Sequence, residues 1–334
     1  MMWWNTTASM KILISPDSFK GSLTAPQAAA AIAAGLRRSM PGAELMELPV
    51  ADGGEGTAEA IALAVGAVRH DVRVTDPLGR PLIAPYYMMA DGTAIMDLAA
   101  ASGLTLVDPG LRNPLKTDTY GTGLLMRAAA EAGARRIVIG LGGSATVDGG
   151  AGLLRALRGI DLCPVIAACD VETPMSRAAE IYGPQKGATP EMVSQLRTRL
   201  ARLAELYGDR DEPRGGAAGG VGAALRSVLG ATLVSGIEIV LRTIGFHEKA
   251  HGADVVITGE GRMDAQTLQG KAPAGVLQAA RRAGVHRVIG LCGQVRDRAA
   301  LIAAGFDTII PIDTPGPGAA DALAAAATHL ICRV

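Results

Sequence analysis

Arg136-Ile137-Val138-Ile139-Gly140-Leu141-Gly142-Gly143-Ser144-Ala145-Thr146-Val147-Asp148-Gly149-Gly150-Ala151-Gly152 runs from a β-branched stretch through a glycine-rich turn into a helix, and that order decides the fold class. Glycines let successive backbone N–H groups turn toward one point, and the unpaired N–H groups of the following helix favour negative charge there. With Gly142, Gly143, Ser144, Thr146 and Asp148 in one turn, the segment reads as a phosphate cradle, against the plainer reading of a tight strand-to-helix connection. No G-x-x-x-x-G-K-[ST] and no helix-opening G-x-G-x-x-G occurs, so a P-loop and a standard dinucleotide fingerprint are absent.

Working outward, similar β-branched runs lie at Lys11–Ser15, Val165–Cys169, Asp254–Thr258, Arg287–Leu291 and Thr308–Ile312, with alanine-rich helical stretches between them. Strands of this type are buried on both faces, so the alternation predicts an α/β protein with mainly parallel sheets and ligand sites at the carboxyl ends of strands. After the first strand a helix is expected to begin at Thr24, which with Gln27 forms a capping box, Pro26 being tolerated in the first turn. Asp76-Pro77-Leu78-Gly79 breaks the alternation: Arg80–Met89 and Thr93–Leu98 read as an antiparallel pair around Asp91-Gly92, and a second domain is expected to begin near Asp76. Gly215–Gly222 reads equally as a hinge or as close backbone packing.

A chain of 334 residues implies two domains, and 49% apolar with 19% charged residues implies an ordinary globular core. Thirty-two basic residues balance thirty-two acidic ones, which removes the electrostatic argument for nucleic acid or an anionic membrane as partner. Cys163, Cys169, Cys292 and Cys332 have neither zinc nor disulfide spacing, and His70, His247, His251, His286 and His329 are scattered. Met1–Ser9 has no signal-peptide character and reads as an upstream start before Met10, so a cytoplasmic location is expected.

Further polar loops follow strand-like runs. Asp52-Gly53-Gly54-Glu55 offers two carboxylates to magnesium or substrate hydroxyls, or a capped turn. Ser18 and Lys20 sit in Ser15-Pro16-Asp17-Ser18-Phe19-Lys20-Gly21-Ser22, where Lys20 offers a point charge to a phosphate or carboxylate unless it is a solvated loop lysine. Glu260, Arg262, Asp264 and Lys271 crowd another loop, Asp170 ends a buried strand, and Lys186 lies in Tyr182-Gly183-Pro184-Gln185-Lys186-Gly187. Carboxylates and lysines on glycine-bearing loops, without a histidine constellation, suit phosphoryl transfer, in which an aspartate accepts the hydroxyl proton and cations meet phosphate charge. A nucleotide-dependent oxidoreductase and a non-catalytic binder of small acids or nucleotides are the competing readings.

Together Ser15–Gly21, Ala51–Thr57, Gly142–Thr146 with Asp148-Gly149-Gly150, Tyr182–Ala188 and Thr258–Gly261 resemble the signatures of type-1 glycerate kinases, from Met10 almost to the carboxyl end. The resemblance implies transfer of the ATP γ-phosphoryl group to D-glycerate, giving 2-phosphoglycerate or 3-phosphoglycerate, with Mg2+. It also implies a restriction-endonuclease-like (Rossmann-type) domain from both chain ends, 10–75 plus 255–334, and an inserted flavodoxin-like domain, 76–254, with the site in the cleft between them. Homodimerisation is left open.

For the residues, the expectations are Asp170 as general base with Asp148 as second candidate, and Lys20 with Lys186 neutralising substrate carboxylate or phosphoryl charge. Gly142, Gly143 and Ser144 are expected to cradle phosphate, and Ser18, Asp52, Gly53, Gly54, Glu55 and Lys271 to contact substrate or phosphate. Glu260 and Asp264 are assigned to the metal. Between Ala156 and Tyr182 the chain is shorter than the family pattern by some tens of residues, with Ala156–Ile160 reading as a splice. Since loss of a core strand is hard to absorb in a packed sheet, omitted flexible loops are the preferred explanation.

Overall fold

The computed structural model describes residues 9–19, 21–51, 54, 56–312 and 316–330. In chain order the strands are β1 (Lys11–Pro16), β2 (Glu44–Glu47), β3 (Val68–Thr75), β4 (Pro81–Met88), β5 (Thr93–Asp97), β6 (Arg136–Gly140), β7 (Val165–Ala168), β8 (Thr232–Val234), β9 (Val255–Gly259), β10 (Arg262–Met263), β11 (Arg287–Cys292), β12 (Gln294–Val295) and β13 (Thr308–Pro311). The chain divides into two compact units, Met1–Asp52 with Val240–Val334, and Gly53–Ile239.

The first unit is a wholly parallel five-stranded sheet in the order β13-β11-β9-β1-β2, supplemented by the short parallel pair β10-β12. Ile12, Ile14, Ile257, Ile289 and Leu291 face Ile32, Leu36 and Leu323 in its core, as the unbroken β-branched runs require. Helix α1 (Ala25–Ser39) opens on the expected capping box: Thr24 Oγ1 accepts the Gln27 N–H, and Gln27 Oε1 accepts the Thr24 N–H at 2.9 Å. Thr24→Ala is expected to lower the stability of this unit by about 1 kcal/mol, read as a shift in the urea midpoint; an unchanged midpoint would show the cap to be idle.

The second unit is a mixed six-stranded sheet in the order β3-β4-β5-β6-β7-β8, antiparallel as far as β5 and parallel from β5 to β8. The expected boundaries at 75/76 and 254/255 are displaced to 52/53 and 239/240. The cause is β3, which pairs residue for residue with β4 from Val68↔Met88 to Thr75↔Pro81 and so belongs to the inserted sheet. Gly215–Gly222 is close packing in this structure: Gly219 adopts φ +69, and a Cβ there would come within 2.2 Å of the Thr146 carbonyl oxygen.

The shortened segment is absorbed without a gap. The helix Ala151–Ala156 passes through residues 157–164 directly into β7, which lies hydrogen-bonded between β6 and β8. A continuous sheet therefore forms from the 334-residue sequence as it stands. Among the described residues no helix is long and apolar enough to cross a membrane.

Candidate active-site loops

Each unit gathers polar side chains where its parallel strands end. In the inserted unit β6 stops at Gly140, and the following loop is pinned by two backbone bonds, Leu104 N–H to Gly143 O and Ala145 N–H to Ser102 O, both 2.8 Å. These bonds flank the Gly103–Ser144 bridge and leave the backbone N–H groups of Gly142, Gly143 and Ser144 without an acceptor among the described residues. Gly143 is exposed at φ +71. The Thr146 hydroxyl is buried and meets no partner among the described residues. Donors left unused at a strand's carboxyl end are open to an anion.

Lys186 fixes this loop from inside the protein. It ends the short 3-10 turn Pro184–Lys186 and is only 3% exposed; its Nζ donates to Ser144 Oγ at 2.7 Å and to the Thr146 carbonyl at 2.8 Å. Burial lowers its pKa to about 7, with the nearby Asp148 charge pulling the other way. Two of the three ammonium donors of Lys186 are thus taken up by the loop itself.

Asp148 is also committed. Its Oδ2 accepts the Thr119 N–H (3.0 Å), the Thr119 hydroxyl (2.8 Å) and the Gly152 N–H (3.0 Å), and Oδ1 accepts the Gly150 N–H (3.1 Å), all fully buried. These four bonds tie the Thr119 turn to the Gly150–Gly152 backbone. Asp148 anchors the start of the helix Ala151–Ala156. Asp170 is half-buried just beyond β7, beside the Gly142–Ser144 loop's parent strand, and its Oδ1 accepts the Gly236 N–H at 2.9 Å and the Ser235 hydroxyl at 3.3 Å. Next to it, burial pushes the Cys169 thiol up to about 11, keeping it neutral.

In the other unit the loops after β1, β9 and β11 interlock: Asp17 N–H bonds Gly259 O at 2.8 Å and Gly293 N–H bonds Glu260 O at 3.2 Å. Gly259 permits this closeness, since a Cβ there would fall 1.6 Å from the Leu291 carbonyl oxygen. Glu260 Oε1 accepts the Thr267 hydroxyl (2.7 Å) and its Oε2 faces Lys271 Nζ (3.3 Å), while Asp264 pairs with Arg262 (2.9 Å) and accepts the Gln266 N–H. Ser18 stands in the same group of loops, its N–H on Asp17 Oδ1 at 2.6 Å. Among the described residues no three carboxylate, histidine or cysteine side chains converge on one point. Each of these two carboxylates is paired with a cation of its own unit, Glu260 with Lys271 and Asp264 with Arg262.

Lys20, Asp52, Gly53 and Glu55 lie outside the described residues; Gly54 is half-buried in a bend. Sequence reasoning missed Asp97, which ends β5 and accepts the N–H groups of Gly56 (2.9 Å) and Ala58 (3.1 Å) at the start of helix α2 (Thr57–Val65). The available signal was a helix beginning after a left-handed glycine, with no side chain of its own to cap it.

Parallel α/β sheets with donor-rich glycine loops at their carboxyl edges define a phosphate-handling α/β protein. A family model described as the glycerate kinase family matches residues 12–163 and 158–333. The chain is 43% identical to a glycerate kinase of Bacillus subtilis (strain 168), covering 92% of this chain and 91% of the relative, and 42% identical to a glycerate 2-kinase of Escherichia coli (strain K12), covering 97% and 96%. A crystal structure described as a glycerate kinase 2 from Salmonella typhimurium LT2 superposes with a TM-score of 0.84 at 40% identity, covering 98% of both chains. The chain belongs to the glycerate kinase family.

The two matched stretches meet at 158–163, where the sequence suggests a splice, and the two relatives align over 349 and 368 positions, more than the 334 residues of this chain. The shortened connection enters β7 at its amino end, whereas Ser144 and Asp170 follow the carboxyl ends of β6 and β7.

Proposed function

We propose that this chain transfers the γ-phosphoryl group of ATP to a hydroxyl of D-glycerate, giving 2-phosphoglycerate, with Asp170 taking the hydroxyl proton and the N–H groups of Gly142, Gly143 and Ser144 receiving phosphate oxygens. Family membership makes the chain an ATP-dependent phosphotransferase. The observation that carries the placement is the donor-lined Gly142–Ser144 loop after β6, held by Lys186, with a carboxylate at the tip of the adjacent strand β7. Phosphoryl transfer needs little more from a protein than such positioning and charge stabilisation. Magnesium enters this reading on the triphosphate, and the reaction belongs in the cytoplasm.

An ADP-release assay with ATP, Mg2+ and D-glycerate tests the proposal, and phosphorus NMR of the product assigns the position. Saturable ADP release that requires D-glycerate is the expected result. Stabilisation by ATP with no turnover would leave a non-catalytic binder, and stabilisation by NAD instead would favour the oxidoreductase.

A further inference from the structure

Arg214 belongs to none of the loops discussed so far, yet it adopts a left-handed backbone (φ +70), a conformation that only four non-glycine residues share among those described. Such a backbone is strained for a side chain with a Cβ, and a glycine would occupy it freely. Stability alone therefore does not account for an arginine here. Residues held in sparsely populated backbone regions concentrate where a site needs them.

The side chain shows what it holds. Its Nε and Nη2 meet Glu172 Oε1 at 2.8 and 2.7 Å, and Nη1 donates to the Leu233 carbonyl of β8 at 3.2 Å. Glu172 stands two residues after Asp170, and Ser235 and Gly236, just past β8, are the residues that bond Asp170 Oδ1. The backbone beside Arg214 grips the same loop: Gly216 N–H donates to Thr173 O at 2.9 Å, and a Cβ on Gly216 would approach the Pro174 carbonyl oxygen to 2.5 Å. An exposed ion pair is ordinarily worth little. Here Arg214 is about one-quarter exposed and has a third contact on backbone, so the guanidinium spans from the loop to the sheet.

We propose that Arg214 is a positioning residue, which ties Glu172 to β8 and so fixes the 169–174 loop that carries Asp170. The proposal rests on the reading of Asp170 as the base. Arg214→Gly removes the guanidinium and relieves the backbone strain together, so the melting temperature is expected to hold while kcat falls by about 10- to 100-fold, KM for ATP stays unchanged and amides 169–175 exchange hydrogen faster. Arg214→Lys keeps the charge but cannot reach both acceptors, and is expected to recover only part of the rate. Glu172→Gln should lower kcat less than Arg214→Gly and add nothing in the double variant.

Unchanged kcat and unchanged exchange in Arg214→Gly would overturn the proposal, as would a lowered melting temperature with full kcat in the folded protein. Asp170→Asn is assayed in parallel to separate the two readings. If Asp170→Asn is inactive and Arg214→Gly fully active, the positioning role is wrong. If Asp170→Asn is itself fully active, the reading of Asp170 fails, and exchange in 169–175 alone decides whether the brace exists.

Discussion

Asp170→Asn is expected to lower kcat by about a thousandfold while the protein stays folded. General-base catalysis by a positioned side chain contributes about 10²–10⁴-fold, and an amide oxygen of the same shape has almost no basicity. The fold should tolerate the change because the Asp170 bonds from Gly236 N–H and the Ser235 hydroxyl both end on Oδ1, which an asparagine oxygen can replace. ADP release at saturating ATP and D-glycerate measures the first effect, and a urea titration the second. A variant within threefold of wild-type kcat would remove Asp170 from the chemistry. Asp148 provides the contrast: its two oxygens face N–H and O–H donors, so an amide nitrogen there would confront donors with a donor, and the damage would appear in stability before rate.

Much of the architecture was legible because the parallel strands are buried on both faces. β1, β6, β9 and β11 are continuous apolar runs, and the Asp91-Gly92 turn gave away the β4–β5 hairpin. β3 was illegible for the complementary reason: Val68-Arg69-His70-Asp71-Val72-Arg73-Val74-Thr75 lies at the sheet edge, mostly exposed, and its charged alternation resembles a surface segment until β4 is laid beside it. The domain boundary went astray with it, since Asp76-Pro77-Leu78-Gly79 marks a chain reversal inside one sheet rather than the entrance to it. β2, β8, β10 and β12 span two to four residues, too few for a period to register.

The glycine loops could be found from sequence, but the tasks of their charged neighbours could not. Lys186 and Ser144 are separated by 42 positions, and Asp97 and Gly56 by 41, so nothing local says that one member of each pair serves the other. A lysine in a glycine-rich motif has the same spelling whether it meets a phosphate or props the loop that does. Burial separates the two, and burial is a property of the packed chain.

Lys186→Met tests that separation, and its effects on rate and stability should differ in their dependence on pH. Methionine fills much of the same space but leaves Ser144 Oγ and the Thr146 carbonyl without the donor they now share, and the loop proposed to receive phosphate loses its internal prop. A fall in kcat/KM of about a hundredfold is expected, the order of loss that a misplacement near 1 Å brings. The stability effect follows from linkage. In the unfolded chain the lysine has its ordinary value near 10.5, whereas burial brings it to about 7 in the fold. Between those limits the unfolded chain binds the proton more fully, so wild-type stability should climb with pH from about 7 towards 10. Below pH 7 both states are protonated, and the fold bears the full cost of a buried ammonium. Methionine removes this component, so the variant should gain on wild type at pH 6.5 and lose that advantage by pH 9.5, as read from urea midpoints at the two values. Parallel pH profiles with undiminished kcat/KM would mean that the side chain is solvated and that the loop stands without it.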